Sequence, residues 1–255
     1  MREFVTALQF LTRIYLVDQK DLTIEDFGRS VKTFPLVGLV LGLIYAGAAW
    51  LLLHSVGQSP LTAAVLTILP ILMTGGLHAD GFMDTMDGVL SCRDRERMLE
   101  IMKDSRVGSM GVSAFVCLML LDFGAVWTVA SALLPEAMLV APVAARTAVV
   151  AAVAYFPYAR NAGMGKEFAD YASWRTVAFA LGTALLLFAA GFLSGWLSLL
   201  PFAALAVGFL ALLWLARYYT RVLGGLTGDV YGTLITLTET VALLVYAILP
   251  GLFAR

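Results

Sequence analysis

Charge is what this chain has least of. Of its 255 residues only 14% are charged, while 60% are hydrophobic, and the mean hydropathy is +0.87. That balance excludes an ordinary soluble domain. Cysteine is nearly absent. Cys92 and Cys117 share no metal-binding spacing, so a disulfide scaffold and a thiolate metal site are both ruled out and two free thiols are expected. No secretory signal opens the chain, because Arg2, Glu3, Gln9 and Arg13 interrupt its first apolar positions. Nothing marks a linker or a separate soluble domain.

What is present is a series of apolar runs long enough to cross ~30 Å of hydrocarbon. Seven spans are predicted, near 34–53, 60–77, 109–133, 137–157, 176–193, 197–216 and 233–252. The short connections make them antiparallel neighbours. The expected fold is therefore all-α, a polytopic membrane helix bundle forming one domain over 1–255. Residues 1–30 would form an interfacial N-terminal helix, with Phe4, Val5, Leu8, Leu11 and Tyr15 as its apolar stripe, and residues 78–107 an acidic-motif segment. Gly38, Gly42 and Gly47 read as helix-packing notches.

Basic residues are missing from alternate loops. Fifteen of the seventeen lysines and arginines fall in the N-terminal segment and in the loops after spans two, four and six; the intervening loops carry none. By the positive-inside rule the N-terminus and the rich loops are cytoplasmic.

The chemistry concentrates on that side. In Gly75-Gly76-Leu77-His78-Ala79-Asp80-Gly81-Phe82-Met83-Asp84-Thr85-Met86-Asp87-Gly88 the carboxylates stand at i, i+4 and i+7, one face of a helix. Like charges on one stripe repel, and a divalent cation removes that penalty; all-oxygen ligands favour Mg²⁺. A plain solvated acidic face is the competing reading. Lys103, Asp104, Ser105 and Arg106, followed by Gly108 and Gly111, suit a phosphate clamp. Gly224-Gly225-Leu226-Thr227-Gly228-Asp229 repeats the Gly-Gly-Leu-x-x-Asp pattern and suggests a second broken helix edge facing the same site. Within the spans, Glu239, Arg146 and Asp122 need partners. His78 reads as a hydrogen-bonding neighbour more readily than as a ligand. The segment Tyr158–Gly165 is either a substrate mouth or a plain connector.

These blocks, with Ala7-Leu8-Gln9-Phe10-Leu11-Thr12-Arg13-Ile14, Phe34-Pro35-Leu36-Val37-Gly38 and Asp94-Arg95-Glu96-Arg97-Met98, resemble the cobalamin synthase (adenosylcobinamide-GDP ribazoletransferase) family in order and over nearly the whole chain. Tyr15-Leu16 departs from it, where the family often has a proline. The resemblance implies a Mg²⁺-dependent transferase of the bacterial cytoplasmic (inner) membrane, with its active site on the cytoplasmic side. It would join α-ribazole, or its 5′-phosphate, to adenosylcobinamide-GDP and release GMP. On that reading Asp80, Asp84, Asp87, Asp229 and Glu239 hold metal, and Asp84, Asp87, Asp104 and His78 are catalytic. Lys103, Ser105, Arg106, Gly108, Arg13 and Arg146 bind substrate. The partners are those substrates and membrane lipid, not nucleic acid, with self-association or other cobalamin-assembly enzymes as further candidates. Two alternatives compete. Asp84-x-x-Asp87-Gly88 is similar to the opening of CDP-alcohol phosphotransferases, but the Ala-Arg that should follow is missing. A secondary transporter would place its acids at mid-membrane, not at one face.

Overall fold

The computed structural model describes residues 1–19 and 21–253. Lys20 and Arg255, counted above among the basic residues, lie outside the described residues. Among those described there are twelve α-helices and no strand. In order they are α1 (Arg2–Leu11), α2 (Ile24–Arg29), α3 (Phe34–Ser55), α4 (Pro60–Thr74), α5 (Leu77–Leu90), α6 (Arg95–Ile101), α7 (Ser109–Thr128), α8 (Leu134–Tyr155), α9 (Met164–Tyr171), α10 (Trp174–Leu193), α11 (Leu200–Leu223) and α12 (Gly228–Phe253). A 3₁₀ turn, Ser30–Thr33, joins α2 to α3. Six of the helical stretches are long and apolar enough to cross a membrane: the one ending in α3, and α7, α8, α10, α11 and α12.

The axis of the bundle is α8. Every residue from 141 to 153 is buried. This stretch is mostly alanine and valine, so neighbours approach on all sides, as small residues permit in membrane helices. On α3, a Cβ at Gly38 would lie 2.5 Å from the Pro142 carbonyl, and one at Gly42 would collide with Leu139. Both are packing notches against α8. Gly47 is not, since a Cβ there would meet nothing within 4 Å.

The second expected span is broken. Gly75 (φ 63°) and Gly76 (φ 79°) both take the left-handed conformation, which glycine reaches without the Cβ clash. α5 then leaves α4 at 93°. The 15 residues of α4 rise about 22 Å, short of a full crossing, and α5 runs across its end. The last span begins earlier than its apolar run, at Gly228, so Asp229 sits in the first turn of α12. The N-terminal stripe also differs from its expected role. Leu8 and Leu11 are buried in the protein core, while Tyr15 lies beyond α1 and is exposed. That face docks on the bundle rather than on lipid.

Candidate active site

Asp80, Asp84 and Asp87 all lie on α5, with Asp80 exposed and the other two partly buried. α5 presses against α12 through small residues. A Cβ on Gly81 would lie 2.9 Å from the Asp229 carbonyl, and one on Gly232 would lie 3.4 Å from His78 Cα. The Thr233 hydroxyl is 2.9 Å from both the Asp229 carbonyl and Thr85 Oγ1, tying the two helices together. The crossing carries Asp229 to the α5 stripe. The second Gly-Gly-Leu-x-x-Asp segment therefore does meet the first.

The electrostatics record that convergence. Burial pushes the Asp84 carboxyl up to about 7, and the charges of Asp80, Asp229 and Asp87 push it the same way, opposed by Arg160. Asp229 pairs with Arg160 at 3.0 Å through Nη1. The other two guanidinium nitrogens, Nε and Nη2, are buried and have no partner. They form the side-on fork that grips a phosphate or carboxylate through two parallel bonds. Arg160 was not singled out from the sequence. Its placement depends on a tertiary pairing: Leu226 N–H donates to the Pro157 carbonyl and Ala159 N–H to the Leu226 carbonyl, each at 2.8 Å. No spacing rule shows that contact.

Asp87 has a different occupation from its stripe partners. Its carboxylate accepts from Gly108 N–H at 2.6 Å and Gly111 N–H at 2.7 Å, so it caps the N-terminus of α7. Gly108 and Gly111 are required because a Cβ at either would strike that carboxylate. Through this cap the Lys103–Arg106 turn is fastened to α5. Lys103, Ser105 and Arg106 are exposed. Asp104 holds Arg106 side-on at 3.0 and 2.7 Å, and these bonds bring its carboxyl down to about 2. So low a value makes it a weak proton acceptor. Arg13 lies over the glycine break, where a Cβ on Gly75 would collide with its guanidinium.

Glu239 is not brought to the stripe. It lies three turns further along α12 and bonds to Arg146 Nη1, whose side chain is only 1% exposed. The two expected site residues are instead a buried ion pair, which an uncompensated intramembrane charge requires. With His78 and Asp122 they border a small, mostly apolar cavity of about 60 Å³. Burial holds His78 down to about 3, so its imidazole is neutral, and Nδ1 has no protein partner.

Asp80 borders two larger spaces. An open cleft of about 580 Å³ runs past Thr12, Arg13, Gly75, Met83 and Phe115; a cavity of about 140 Å³ lies on the α12 side and also touches Asp229. Among the described residues no three His, Cys, Asp or Glu side chains stand close enough together to hold a metal ion. The donor set nevertheless fits a hard divalent cation. Asp80 and Asp84 are oxygen donors without a hydrogen-bond partner of their own, and the crowding that raises Asp84 is what a bound cation relieves.

A family model described as cobalamin-5-phosphate synthase matches residues 3–247. The chain is 43% identical over 251 residues to a Desulfitobacterium hafniense protein named adenosylcobinamide-GDP ribazoletransferase, covering 96% of each. Proteins of the same name from Clostridium acetobutylicum (38% identical, 97% of each chain) and Brevibacillus brevis (40% identical, 96% of this chain and 97% of the relative) are similar over the same length. No solved structure matches.

Proposed function

The chain belongs to the cobalamin-5-phosphate synthase family, and on that premise we propose that it joins α-ribazole, or its 5′-phosphate, to adenosylcobinamide-GDP with release of GMP. The reaction takes place at the cytoplasmic face of the bacterial inner membrane, with the N-terminus on that side. The observation that carries this reading is the mutual proximity of Asp80, Asp84 and Asp229 beside a guanidinium whose other two nitrogens are buried without a partner. A diphosphate donor needs that combination of anionic ligands for a metal and a fixed cation for phosphate oxygens.

Asp80, Asp84 and Asp229 would hold Mg²⁺, which when bound neutralises charge on the diphosphate. Arg160 grips a phosphate through Nε and Nη2. Lys103 and Arg106, kept near the stripe by the Asp87 cap, add positive charge on the exposed side. Arg13 borders the open cleft through which the donor reaches Asp80. A ribose hydroxyl oxygen attacks the corrinoid-side phosphorus, the bond from that phosphorus to the GMP oxygen breaks, and a stripe carboxylate takes the hydroxyl proton, since the Arg106 pairing leaves Asp104 too weak a base for it.

The test is direct. Membranes containing the protein are incubated with adenosylcobinamide-GDP, α-ribazole and MgCl₂, and cobalamin and GMP are resolved by chromatography. Both products should form in equal amounts and disappear with EDTA. Asp84→Asn should slow the reaction ~10²–10³-fold; a loss below tenfold would remove Asp84 from the site.

A further inference from the structure

The 140 Å³ cavity behind Asp80 has no part in the chemistry above. It lies between α1, α3, α9 and α12, and its walls include Phe10, Phe34, Phe168, Met164, Tyr231 and His78, with Asp80 and Asp229 also bordering it. Phe168 anchors the wall, 5.3 Å from Phe34 and 5.4 Å from Phe10 between ring centroids. Aliphatic residues of α8, among them Val153, close the back. Two residues of this lining, His78 (6% exposed, and shared with the 60 Å³ cavity) and Tyr231 (7% exposed), each carry a buried polar atom without a partner, Nδ1 and the hydroxyl.

A cavity of ~150 Å³ with apolar walls accepts a benzene-sized ring. Aromatic walls favour a flat π-system further, through offset and edge-on contacts. The polar demand of the occupant is also set. Away from the Asp80 and Asp229 edge it can match no more than about two hydrogen-bonding groups, those of His78 and Tyr231, because a richer set would be left unpaired against phenylalanine and valine. Guanine, with several donors and acceptors around its rings, fails that condition. A benzimidazole-type ring joined to its sugar through one nitrogen meets it, since its second nitrogen is its only other polar atom.

We propose that this cavity seats the aromatic base of the acceptor nucleoside. One ring lies against the Phe10, Phe34 and Phe168 cluster, and its free nitrogen is hydrogen-bonded by Tyr231 or His78. The ribose emerges at Asp80 and Asp229, where its hydroxyl meets the donor arriving through the open cleft. The inference rests on the transferase reading for the identity of the nucleoside, while the cavity's preference for a flat, weakly polar ring rests on its walls alone.

The probe is free benzimidazole, and the protein is the full chain in detergent. Saturation-transfer NMR should show saturable binding to the wild type that guanosine does not displace. Phe168→Ala removes the aromatic wall and Val153→Phe fills the back; each should weaken binding at least tenfold. In the transfer assay benzimidazole should raise the acceptor KM and leave the donor KM unchanged. Binding that is absent from the wild type, or displaced by guanosine, or competitive with the donor overturns the assignment. If Val153→Phe fails to fold, Phe168→Ala and the competition pattern decide it alone. Benzimidazole binding without any transfer would refute the transferase reading and keep the cavity; transfer that proceeds with wild-type acceptor KM in Phe168→Ala would do the reverse.

Discussion

Replacing Asp87 by asparagine separates two jobs that one aspartate could have. The carboxylate accepts two backbone N–H bonds, at 2.6 and 2.7 Å, from the first turn of α7. A hydrogen bond to a charged acceptor contributes ~1.5–3 kcal/mol. Asparagine keeps one acceptor oxygen and turns an NH₂ toward the other N–H, so one bond is lost together with the attraction between the charge and the helix end. Asp87 is partly exposed, which discounts both terms. The expected loss is about 2 kcal/mol, equivalent to about a thirtyfold increase in local opening. Hydrogen exchange followed by mass spectrometry should locate it at the amides of Gly108–Val112 and leave α10 unchanged. Transfer should fall because the Lys103–Arg106 turn loosens, with the Mg²⁺ concentration for half-maximal rate nearly unchanged. The opposite pattern, unaltered exchange with a tenfold higher Mg²⁺ requirement, would make Asp87 a metal ligand and refute the capping argument.

Glu239→Gln strands the buried Arg146 guanidinium and should lower stability by ~3–5 kcal/mol, whereas Glu239→Leu with Arg146→Met should recover most of it; thermal unfolding in detergent gives the comparison. Asp84 supplies a pH dependence. Its carboxyl stands at about 7 in the folded chain against an ordinary 3.8, so its contribution is fully present below about 3.8 and is lost as pH rises through about 7. In EDTA the Tm should therefore fall across that window, MgCl₂ should reverse the fall, and Asp84→Asn should flatten it. Cys92 is exposed on the turn after α5. In a Cys117→Ser background, a membrane-impermeant maleimide applied to intact cells should leave Cys92 unmodified and label Ser55→Cys; the reverse would invert the orientation.

The apolar runs made the spans legible because hydrocarbon thickness sets their length with little regard to neighbours. The boundaries that moved did so for local reasons. The expected span over 60–77 ends at Thr74 because two left-handed glycines redirect the chain, and α12 starts at Gly228 because hydropathy is blind to a polar first turn. The acidic stripe was legible from the 3.6-residue period alone. The uses of its members were not. Asp87 is committed to amides of α7, and Glu239 to Arg146 on α8, a partner 93 positions away. Spacing along one helix reports which face a carboxylate occupies and nothing about what another helix brings to it. Arg160 was legible only as the basic group of a segment that could be a substrate mouth or a plain connector; its pairing with Asp229 was not, because the contact of Leu226 with the Tyr158 segment is purely tertiary.

The two Gly-Gly-Leu-x-x-Asp segments show how a short sequence likeness can have one physical cause and two structural outcomes. In each, the first glycine is left-handed, at Gly75 and Gly224, and in each an arginine from a distant segment lies over it: Arg13 on the first, Arg95 on the second. A side chain at either glycine would collide with that guanidinium, so the position must both turn the chain and leave a flat surface for a cation. On α4 the Arg13 backbone N–H also donates to the Met73 carbonyl at 2.8 Å, and the negative end of the helix dipole at each break is where a guanidinium is favoured. After the break the two differ. α5 turns across the bundle end, whereas α12 begins with a polar turn and then runs on as a spanning helix. Because their first turns cross at Gly81 and Asp229, the same motif delivers one aspartate from each helix to one point. A single broken helix could present a stripe of carboxylates on one side of a substrate. Two helices that cross just after such breaks bring an acid from each, with Arg160 fixed against the second, and the proposed transfer between two bound molecules would use that arrangement.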